Sequence, residues 1–350
     1  MTRAVHTGII GFGLSGKVFH APFVSSHPGF ELSKIVERHH RHAAEVYPGI
    51  TIVNDYHDLL NDNNIELIVI TTPNTLHYPM AVECLSAGKH IVIEKPFTPT
   101  SAEADSLISL AGKTGKKIFV YQNRRWDGDF LTIKKLIDQN ALGEIKYFEA
   151  HFDRYSPEIK PGAWRNKNIP GGGILFDLGA HLIDQVLVLF GMPDSIKADV
   201  QIERPGGEVD DAFHVEMKYH DKTALVRAGM MVKEPGPRYI IEGSLGKYSK
   251  TGIDLQESRL KAGEKPSAKD FGKEDTAFWG TLRTGQKPPF EFTKVPTEDG
   301  NYMAFYDGVY KSICEDKPMP VMAEEARDII FIIEKAFESS TKRQSIKIEK

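Results

Sequence analysis

The chain has 350 residues, 41% of them hydrophobic and 26% charged, with a formal net charge of -4 at pH 7. This composition is typical of a globular protein large enough for two domains, and it disfavours a nucleic-acid-binding surface, which needs clustered positive charge. No apolar run is long enough to cross a bilayer and no signal-peptide pattern opens the chain, so we expect a cytoplasmic protein with no membrane partner. Its two cysteines, Cys84 and Cys314, allow neither a disulfide framework nor a thiolate zinc site.

The chain opens with a predicted strand at residues 4–10, followed directly by the glycine motif Gly11-Phe12-Gly13-Leu14-Ser15-Gly16. In such a motif the first glycine permits a tight turn and the second lets backbone N–H groups approach a pyrophosphate. The third lets the next helix pack on the strand. We therefore expect Gly11, Phe12, Gly13 and Gly16 to bind a dinucleotide; a glycine-rich turn without a ligand is the alternative.

The second predicted strand, at residues 31–36, is followed by Glu37 and Arg38. An acidic side chain at this distance from the glycine motif accepts hydrogen bonds from the ribose hydroxyls of NAD, whereas Arg38, with His39 or Arg41, would clamp the 2′-phosphate of NADP. The two signals favour different cofactors. The neighbouring histidines do not indicate a metal site, because adjacent loop residues do not converge on one ion. Solvated loop charge is the alternative for the whole run.

Strands alternate with helices as far as residue 121, and the strand cores are nearly all apolar. Further strands are predicted at residues 50–53, 66–71, 90–94 and 117–121, and helices at 17–25, 57–60, 77–87 and 101–114. This alternation predicts a parallel sheet with helices on both faces, whose ligands bind beyond the carboxyl ends of the strands.

Polar residues follow the strand at residues 66–71. They are Thr72-Pro73-Asn74 and His77. Pro73 fixes the loop, and Asn74 and His77 either contact the cofactor or cap the next helix.

The strand at residues 90–94 ends in Glu94-Lys95-Pro96, where Pro96 holds the backbone in a trans or a cis bond. A lysine that follows a buried strand needs a polar environment. Lys95 therefore either faces the cofactor and handles a proton or a substrate oxygen, or forms a salt bridge with Glu94 or another carboxylate.

The alternation ends near Asn123, and we place the domain boundary there, between residues 1–123 and 124–350. A helix is predicted at 129–140, and strands at 145–152, 196–202, 213–219, 223–231, 238–242 and 246–249. Several of these strands alternate polar and apolar residues, which predicts a mixed or antiparallel sheet covered by helices on one face. Its open face predicts a homo-oligomer. The polar stretch at 262–296 is predicted to have little regular structure, and helices are predicted at 301–313 and 322–340.

Three glycines, Gly171-Gly172-Gly173, lead into a helix predicted from Ile174. In this helix Asp177, His181 and Asp184 recur at spacings of four and three residues, which place them on one helical face. That face is either solvated or catalytic, and we expect Asp184 to be a structural carboxylate.

The segment before the glycines contains Asp153-Arg154-Tyr155 and Trp164-Arg165. Side chains of these types hydrogen-bond hydroxyl groups or stack on a sugar ring. Trp164 is equally suited to a packing role.

Together, the glycine motif, Glu94-Lys95-Pro96 and the glycine run leading to Asp177 and His181 resemble the glucose-fructose oxidoreductase, inositol dehydrogenase and rhizopine-catabolism (Gfo/Idh/MocA) family, over essentially the whole chain. The resemblance implies an α/β fold: an N-terminal Rossmann domain that binds NAD(P), and a C-terminal α+β domain with a large, mostly antiparallel open sheet. It implies that Lys95 is the catalytic lysine, Asp177 the substrate-side aspartate and His181 the acid/base histidine. It also implies that the loop with Thr72, Pro73, Asn74 and His77 lies beside the nicotinamide.

A closer likeness is to the NADP-preferring scyllo-inositol dehydrogenases of this family, through Asn123-Arg124-Arg125-Trp126-Asp127, Phe152-Asp153-Arg154-Tyr155 and Trp164-Arg165. It implies NADP rather than NAD as the cofactor, an inositol or another polyol or sugar as the substrate, and a homodimer or homotetramer formed through the C-terminal sheet. Glu94 and Asn123 join the expected cofactor-binding residues, and Arg124, Tyr155, Trp164 and Arg165 join the substrate-binding ones. The chain departs from this subgroup at Glu37, where a non-acidic residue is expected and where an acid favours NAD.

In the mechanism so implied, His181 removes the hydroxyl proton of a secondary alcohol, Lys95 holds that oxygen and Asp177 orients the substrate or the histidine, while hydride passes to the nicotinamide. No metal is expected, because the lysine ammonium group supplies the positive charge. Two alternatives stay open. One is a sugar or keto-sugar reductase of the same family; the other is a non-catalytic dinucleotide-binding regulator, which would not need Lys95, Asp177 and His181 together.

Overall fold

The computed structural model describes residues 3–159, 162 and 166–349. The chain divides into two compact units, each built from three segments. The first unit comprises Met1–Asn123, Gln256–Phe271 and Asn301–Asp328, and the second comprises Arg124–Leu255, Gly272–Gly300 and Ile329–Lys350. One break lies after residue 123. Two later segments, Gln256–Phe271 and Asn301–Asp328, also belong to the first unit.

The strands, in chain order, are β1 (Val5–Ile10), β2 (Phe30–Val36), β3 (Thr51–Val53), β4 (Leu67–Ile70), β5 (His90–Ile93), β6 (Ile118–Val120), β7 (Ile145–His151), β8 (Ser195–Gln201), β9 (Ala212–Lys218), β10 (Thr223–Gly229), β11 (Tyr239–Gly243), β12 (Gly246–Lys250), β13 (Gly280–Thr284), β14 (Glu291–Val295) and β15 (Ile346–Lys347). The α-helices are α1 (Ala21–Ser26), α2 (His42–Val46), α3 (His57–Leu60), α4 (His77–Ser86), α5 (Ser101–Thr114), α6 (Gly128–Asp138), α7 (Ala180–Phe190), α8 (Gln256–Lys261), α9 (Met303–Glu315) and α10 (Ala323–Lys342). Two π-helical segments, Gly16–His20 and Leu175–Gly179, directly precede α1 and α7. Among the described residues, no helix combines the length and the apolar character needed to span a membrane.

The first unit contains a six-stranded sheet in the order β3-β2-β1-β4-β5-β6, in which every neighbouring pair is parallel. All residues of β4 are buried, as expected for a strand covered on both faces. Aromatic side chains of α9 pack within this unit. Tyr306 stacks on Phe23 of α1, and Phe305 meets Tyr121 edge-on, which explains why this late segment belongs here. The predicted Rossmann-type sheet is confirmed.

The second unit contains a nine-stranded sheet in the order β14-β13-β12-β11-β7-β10-β9-β8-β15. Every pair is antiparallel except β7 with β10. In β9 the alternate residues Phe213, Val215 and Met217 are buried, and in β7 so are Ala150 and Phe148. Its ring lies edge-on to that of Phe190 in α7, with 5.6 Å between the centroids, so α7 covers this face. The prediction of a mostly antiparallel sheet with a helical layer on one face is confirmed.

The stretch at residues 262–296 differs from its prediction. It contains the hairpin of β13 and β14, which forms one edge of the nine-stranded sheet. The prediction was wrong because the side chains of the edge strand β14 are mostly exposed; that of Phe292, for example, is 62% exposed. The alternation of polar and apolar residues that marks a half-buried strand is therefore weak in β14. The short elements α2, α8 and β15 are also additional to the predicted ones.

Candidate functional site

The glycine motif forms the turn after β1, and each of its three glycines is favoured for a different structural reason. Gly11 has a φ of 97°, in the left-handed region that favours glycine. A Cβ at Gly16 would lie 2.2 Å from the carbonyl oxygen of Gly11, so backbone packing requires this glycine. A Cβ at Gly13 would meet no described atom within 4 Å, which leaves space that fits the close approach of a cofactor phosphate. Phe12 packs edge-on against Tyr47, with 6.2 Å between the ring centroids.

Glu37 is buried where β2 ends. Its Oε2 accepts a hydrogen bond from the backbone N–H of Ala43 at 2.9 Å, which satisfies an N–H group in the first turn of α2. Arg38 and His39 are exposed. The Glu37 side chain is thus partly committed to the protein backbone, while the accessible side chains directly after it are basic.

His77 connects two of the strand-end loops. Its Nδ1 lies 2.9 Å from the carbonyl oxygen of Pro96, and its Nε2 lies 3.0 Å from that of Thr72. Burial lowers the pKa of His77, which favours the neutral ring, and a neutral imidazole donates through one nitrogen only. The side chain is fully buried, and both ring nitrogens face carbonyl oxygens of the protein.

Other polar side chains follow the neighbouring strands of this sheet. Thr72, Lys95 and Gln122 follow β4, β5 and β6, which are adjacent and parallel, so they lie at the same edge. Thr72 Oγ1 and Gln122 Oε1 are buried and have no hydrogen-bond partner within the described part of the chain. Buried polar atoms are normally paired, so these two atoms, with the open space at Gly13, fit a bound dinucleotide. The predicted cofactor residues Asn74 and Asn123 are buried after β4 and β6.

Lys95 is half-buried, and its peptide bond to Pro96 is cis, one of the two predicted states. The preceding carboxylate, Glu94, accepts hydrogen bonds from the Lys95 backbone N–H and from His20 Nε2, both at 3.0 Å, and from the Ser15 hydroxyl. Burial alone raises the pKa of Glu94, but the hydrogen bond and charge of His20, with the Ser15 hydroxyl, lower it to about 2. Glu94 is therefore a carboxylate that is held within the first unit.

In the second unit, the predicted helix begins with a π-helical segment. Asp177 lies in this segment and is half-buried, and His181 lies in the first turn of α7 and is 5% exposed. Single π-turns occur frequently at functional sites. Asp184, one turn later, accepts bonds from the Arg125 guanidinium at 2.6, 3.0 and 3.1 Å. Asp184 is thus the structural carboxylate that the sequence predicts.

A residue that the sequence does not single out, Asp210, holds the start of this helical segment. Its Oδ2 accepts a hydrogen bond from the Leu175 backbone N–H at 2.7 Å. The close approach depends on Gly173, whose φ is 88° and where a Cβ would lie 1.9 Å from Asp210 Oδ1. Burial raises the pKa of Asp210 to about 6. The third glycine of the run therefore makes room for a carboxylate of the protein.

The remaining predicted substrate-binding residues differ in accessibility. Arg124 is buried, with its Nη1 donating to Asp127 Oδ2 at 3.3 Å and its guanidinium carbon 5.0 Å from the Phe152 ring centre. Tyr155 is 50% exposed and pairs through an isolated β-bridge with Met231. The predicted residues Trp164 and Arg165 lie outside the described residues.

Comparison with known proteins identifies the family. Two models match the chain: the NAD-binding Rossmann fold of the Gfo/Idh/MocA oxidoreductase family over residues 5–122, and its C-terminal alpha/beta domain over residues 134–348. The scyllo-inositol 2-dehydrogenase (NADP(+)) IolW of Bacillus subtilis is 40% identical over 345 residues, which cover 99% of this chain and 96% of the relative.

Solved structures agree over the whole chain. The oxidoreductase YvaA of Bacillus subtilis has a TM-score of 0.97 at 39% identity, covering 100% of this chain and 99% of that one. An oxidoreductase of Bacteroides fragilis has a TM-score of 0.91 at 40% identity, covering 99% and 100%. Because the two family models match most of the chain in the predicted order, the protein is an oxidoreductase that belongs to the Gfo/Idh/MocA family, with an NAD-binding Rossmann domain and a C-terminal α/β domain.

Proposed function

We propose that this oxidoreductase is an NADP-dependent dehydrogenase that acts on a secondary alcohol of a polyol or sugar, with an inositol of the scyllo type as its substrate. The observation that carries the proposal is the set Lys95, Asp177 and His181. The first follows a strand of the Rossmann sheet, and the others lie on the consecutive helical segments of the second unit. The name of the Bacillus relative supports this substrate class and this cofactor.

Each of these side chains has a role that its chemistry permits. When bound, the nicotinamide accepts hydride from the alcohol carbon. His181 takes the hydroxyl proton in oxidation and returns it in reduction. The Lys95 ammonium group holds the same oxygen and stabilises the negative charge that develops on it, and Asp177 orients the hydroxyl group or the imidazole.

The contacts of Glu37 support NADP over NAD. A ribose-binding acid must present its carboxylate to the 2′- and 3′-hydroxyls, but Oε2 of Glu37 already accepts the Ala43 N–H. The exposed Arg38 has the charge and the bidentate geometry that a 2′-phosphate requires. Glu37 therefore acts as a cap for α2, and Arg38 as the residue that selects the cofactor.

Two other functions use the same fold. A sugar or keto-sugar reductase would share the residues and differ in the ring that it accepts. A regulator would bind the dinucleotide through the glycine motif and would not need a proton-handling set. We favour the enzyme because Lys95, Asp177 and His181 occur together in this chain.

A spectrophotometric assay of the purified protein tests the proposal. We expect NADP reduction with scyllo-inositol at a higher kcat/KM than with myo-inositol, glucose or other sugars, and a lower kcat/KM with NAD. Preference for a sugar would support the reductase. Tight NADPH binding with no turnover on any of these compounds, in either direction, would support the regulator.

Arg38→Ala tests the cofactor assignment separately. Loss of a hydrogen bond between charged groups costs about 1.5 to 3 kcal/mol, so the KM for NADP should rise by roughly ten- to a hundredfold. The KM for NAD, which lacks the 2′-phosphate, should stay unchanged and serves as the internal control. An equal rise for both cofactors, or none for NADP, would remove Arg38 from the 2′-phosphate site.

We also propose that the open face of the nine-stranded sheet joins copies of the chain into a dimer or tetramer. This face carries paired charges on buried and half-buried side chains. His151 on β7 lies 2.6 Å from Glu149 and 3.2 Å from Asp153, and Arg227 on β10 lies 3.4 Å from Asp153. Because these charges lie beside charges of opposite sign, a second copy could cover this face without isolating a single charge.

A further inference from the structure

A buried network of hydrogen-bonded polar side chains in the first unit has no part in the chemistry described above. His20, at the end of the π-helical segment after the glycine motif, and Tyr306, on α9, are both fully buried. The Tyr306 hydroxyl lies 2.6 Å from His20 Nδ1, and His20 Nε2 lies 3.0 Å from Glu94 Oε1. This network therefore connects Tyr306 on α9, through the His20 imidazole, to the Glu94 carboxylate, which precedes Lys95.

The ionisation of Glu94 determines the direction of its hydrogen bond with His20. Its pKa of about 2, set by the hydrogen bond and charge of His20 against the opposing effect of burial, makes it a carboxylate that only accepts. His20 Nε2 must therefore donate to it. Burial raises the pKa of Tyr306 well above its ordinary value, so its hydroxyl group keeps its proton. Its 2.6 Å contact with Nδ1 fixes the orientation of the His20 ring.

Glu94 connects this network to two loops of the proposed site, the loop after β1 and the loop after β5. Its Oε1 also accepts from the hydroxyl of Ser15, inside the glycine motif. Its Oε2 accepts from the backbone N–H of Lys95 at 3.0 Å. One carboxylate thus links the loop after β1 to the residue after β5, and a carboxylate with fewer donors would be free to change rotamer.

We propose that His20 and Tyr306 are positioning residues that hold Glu94 in one orientation, so that the glycine motif and Lys95 keep a fixed geometry relative to each other. The role of Lys95 in this inference rests on the proposed function; the effect on the glycine motif does not. Cofactor binding and turnover therefore report on two ends of the same contact.

A pair of substitutions at His20 separates positioning from packing. The His20 ring lies 4.4 Å from that of Tyr121, so His20→Phe preserves an aromatic ring in this packing but removes the donor to Glu94. His20→Gln loses the ring and keeps an N–H donor. If His20 positions Glu94, Phe should weaken NADPH binding and lower kcat by about tenfold or more, and Gln should recover most of both. If His20 only packs, the order of the two variants reverses, which would overturn the proposal.

Tyr306→Phe provides a second test with a matched control on the same helix. Tyr310→Phe also removes one hydroxyl group from α9, but that hydroxyl donates to the Arg3 carbonyl oxygen at 3.1 Å and has no link to Glu94. NADPH affinity, measured by fluorescence titration, and kcat should fall several-fold in Tyr306→Phe only. Equal effects in the two variants, or a change in thermal stability alone, would overturn the proposal.

The NADPH titration also separates the positioning role of His20 from the proposed function. NADPH binding needs no substrate. If the enzyme does not act on an inositol, the proposed function fails, but the NADPH affinities of the variants still test the positioning role. If the wild-type protein binds NADPH and turns over scyllo-inositol but the His20 variants follow the packing order, the positioning role fails alone. If the wild-type protein binds neither NADPH nor NADH, both proposals fail.

Discussion

Replacing Lys95 with methionine, or His181 with glutamine, is expected to lower kcat by about a hundredfold or more, because each change removes one group that handles charge in the transition state. Lys95→Met keeps an unbranched side chain of similar shape and removes the ammonium group. His181→Gln keeps a hydrogen-bonding side chain that cannot take up a proton near neutral pH. NADPH affinity should be retained in His181→Gln, because that residue is proposed to act on the substrate. Steady-state kinetics with the best substrate of the panel, and NADPH titration, measure the two effects.

Buried residues of the same types provide controls for these substitutions. Lys89 donates to the carbonyl oxygens of Asp62 and Ile65 at 2.7 and 2.9 Å, and His27 lies 2.9 Å from Asp307. Lys89→Met and His27→Gln should therefore lower stability and leave the kcat of the folded enzyme near the wild-type value. If Lys95→Met and His181→Gln also kept wild-type kcat on a substrate that the enzyme turns over well, the proposed acid/base mechanism would be wrong.

The parts of the fold that the sequence predicts are those with local signals. Residues 101–114 are predicted to be a helix, and α5 has these bounds. Thr100 and Glu103 form a capping box at its start, and Gly115, with a φ of 65°, ends it. The strands of the parallel sheet were equally clear, because continuous apolar runs between helices have few alternative structures.

The parts that were missed depend on contacts between distant residues. Asp210 lies far from Leu175 in sequence, and no spacing or motif connects its side chain to that helical segment. In the same way, nothing local indicates that the segment with Tyr306 packs beside Phe23. The π-helical start of the segment is not predicted either, because five residues are too few for their apolar pattern to distinguish a π-turn from an α-turn.

At the candidate site, the sequence identifies residue types but not their partners. Glu37 and Arg38 give opposite predictions for the cofactor, and the sequence does not show where the Glu37 carboxylate points. In the structure its Oε2 accepts the Ala43 N–H, a contact that no sequence motif predicts. Glu94 is similar, because two of its three hydrogen-bond donors, Ser15 and His20, lie far from it in sequence.

Gly173→Ala should be strongly destabilising, because two effects act at this residue. Its φ of 88° disfavours any side chain, and the new Cβ would lie 1.9 Å from Asp210 Oδ1. Gly206→Ala isolates the first effect: the φ there is 76°, and no atom of the described chain lies within 4 Å of the added Cβ. We expect Gly206→Ala to cost about 1 to 2 kcal/mol of unfolding free energy, and Gly173→Ala about 3 kcal/mol or more. Denaturant unfolding measures both.

The same clash should reduce activity, because relieving it requires Asp210 to release the Leu175 N–H at the start of the segment that carries Asp177. We therefore expect kcat to fall in Gly173→Ala and to stay near wild type in Gly206→Ala. Combining Gly173→Ala with Asp210→Ala removes the carboxylate that the new methyl group meets. If the clash is the cause, the double variant should lose less stability than the sum of the two single losses. Strictly additive losses would show that the backbone conformation of Gly173, and not its contact with Asp210, sets the cost.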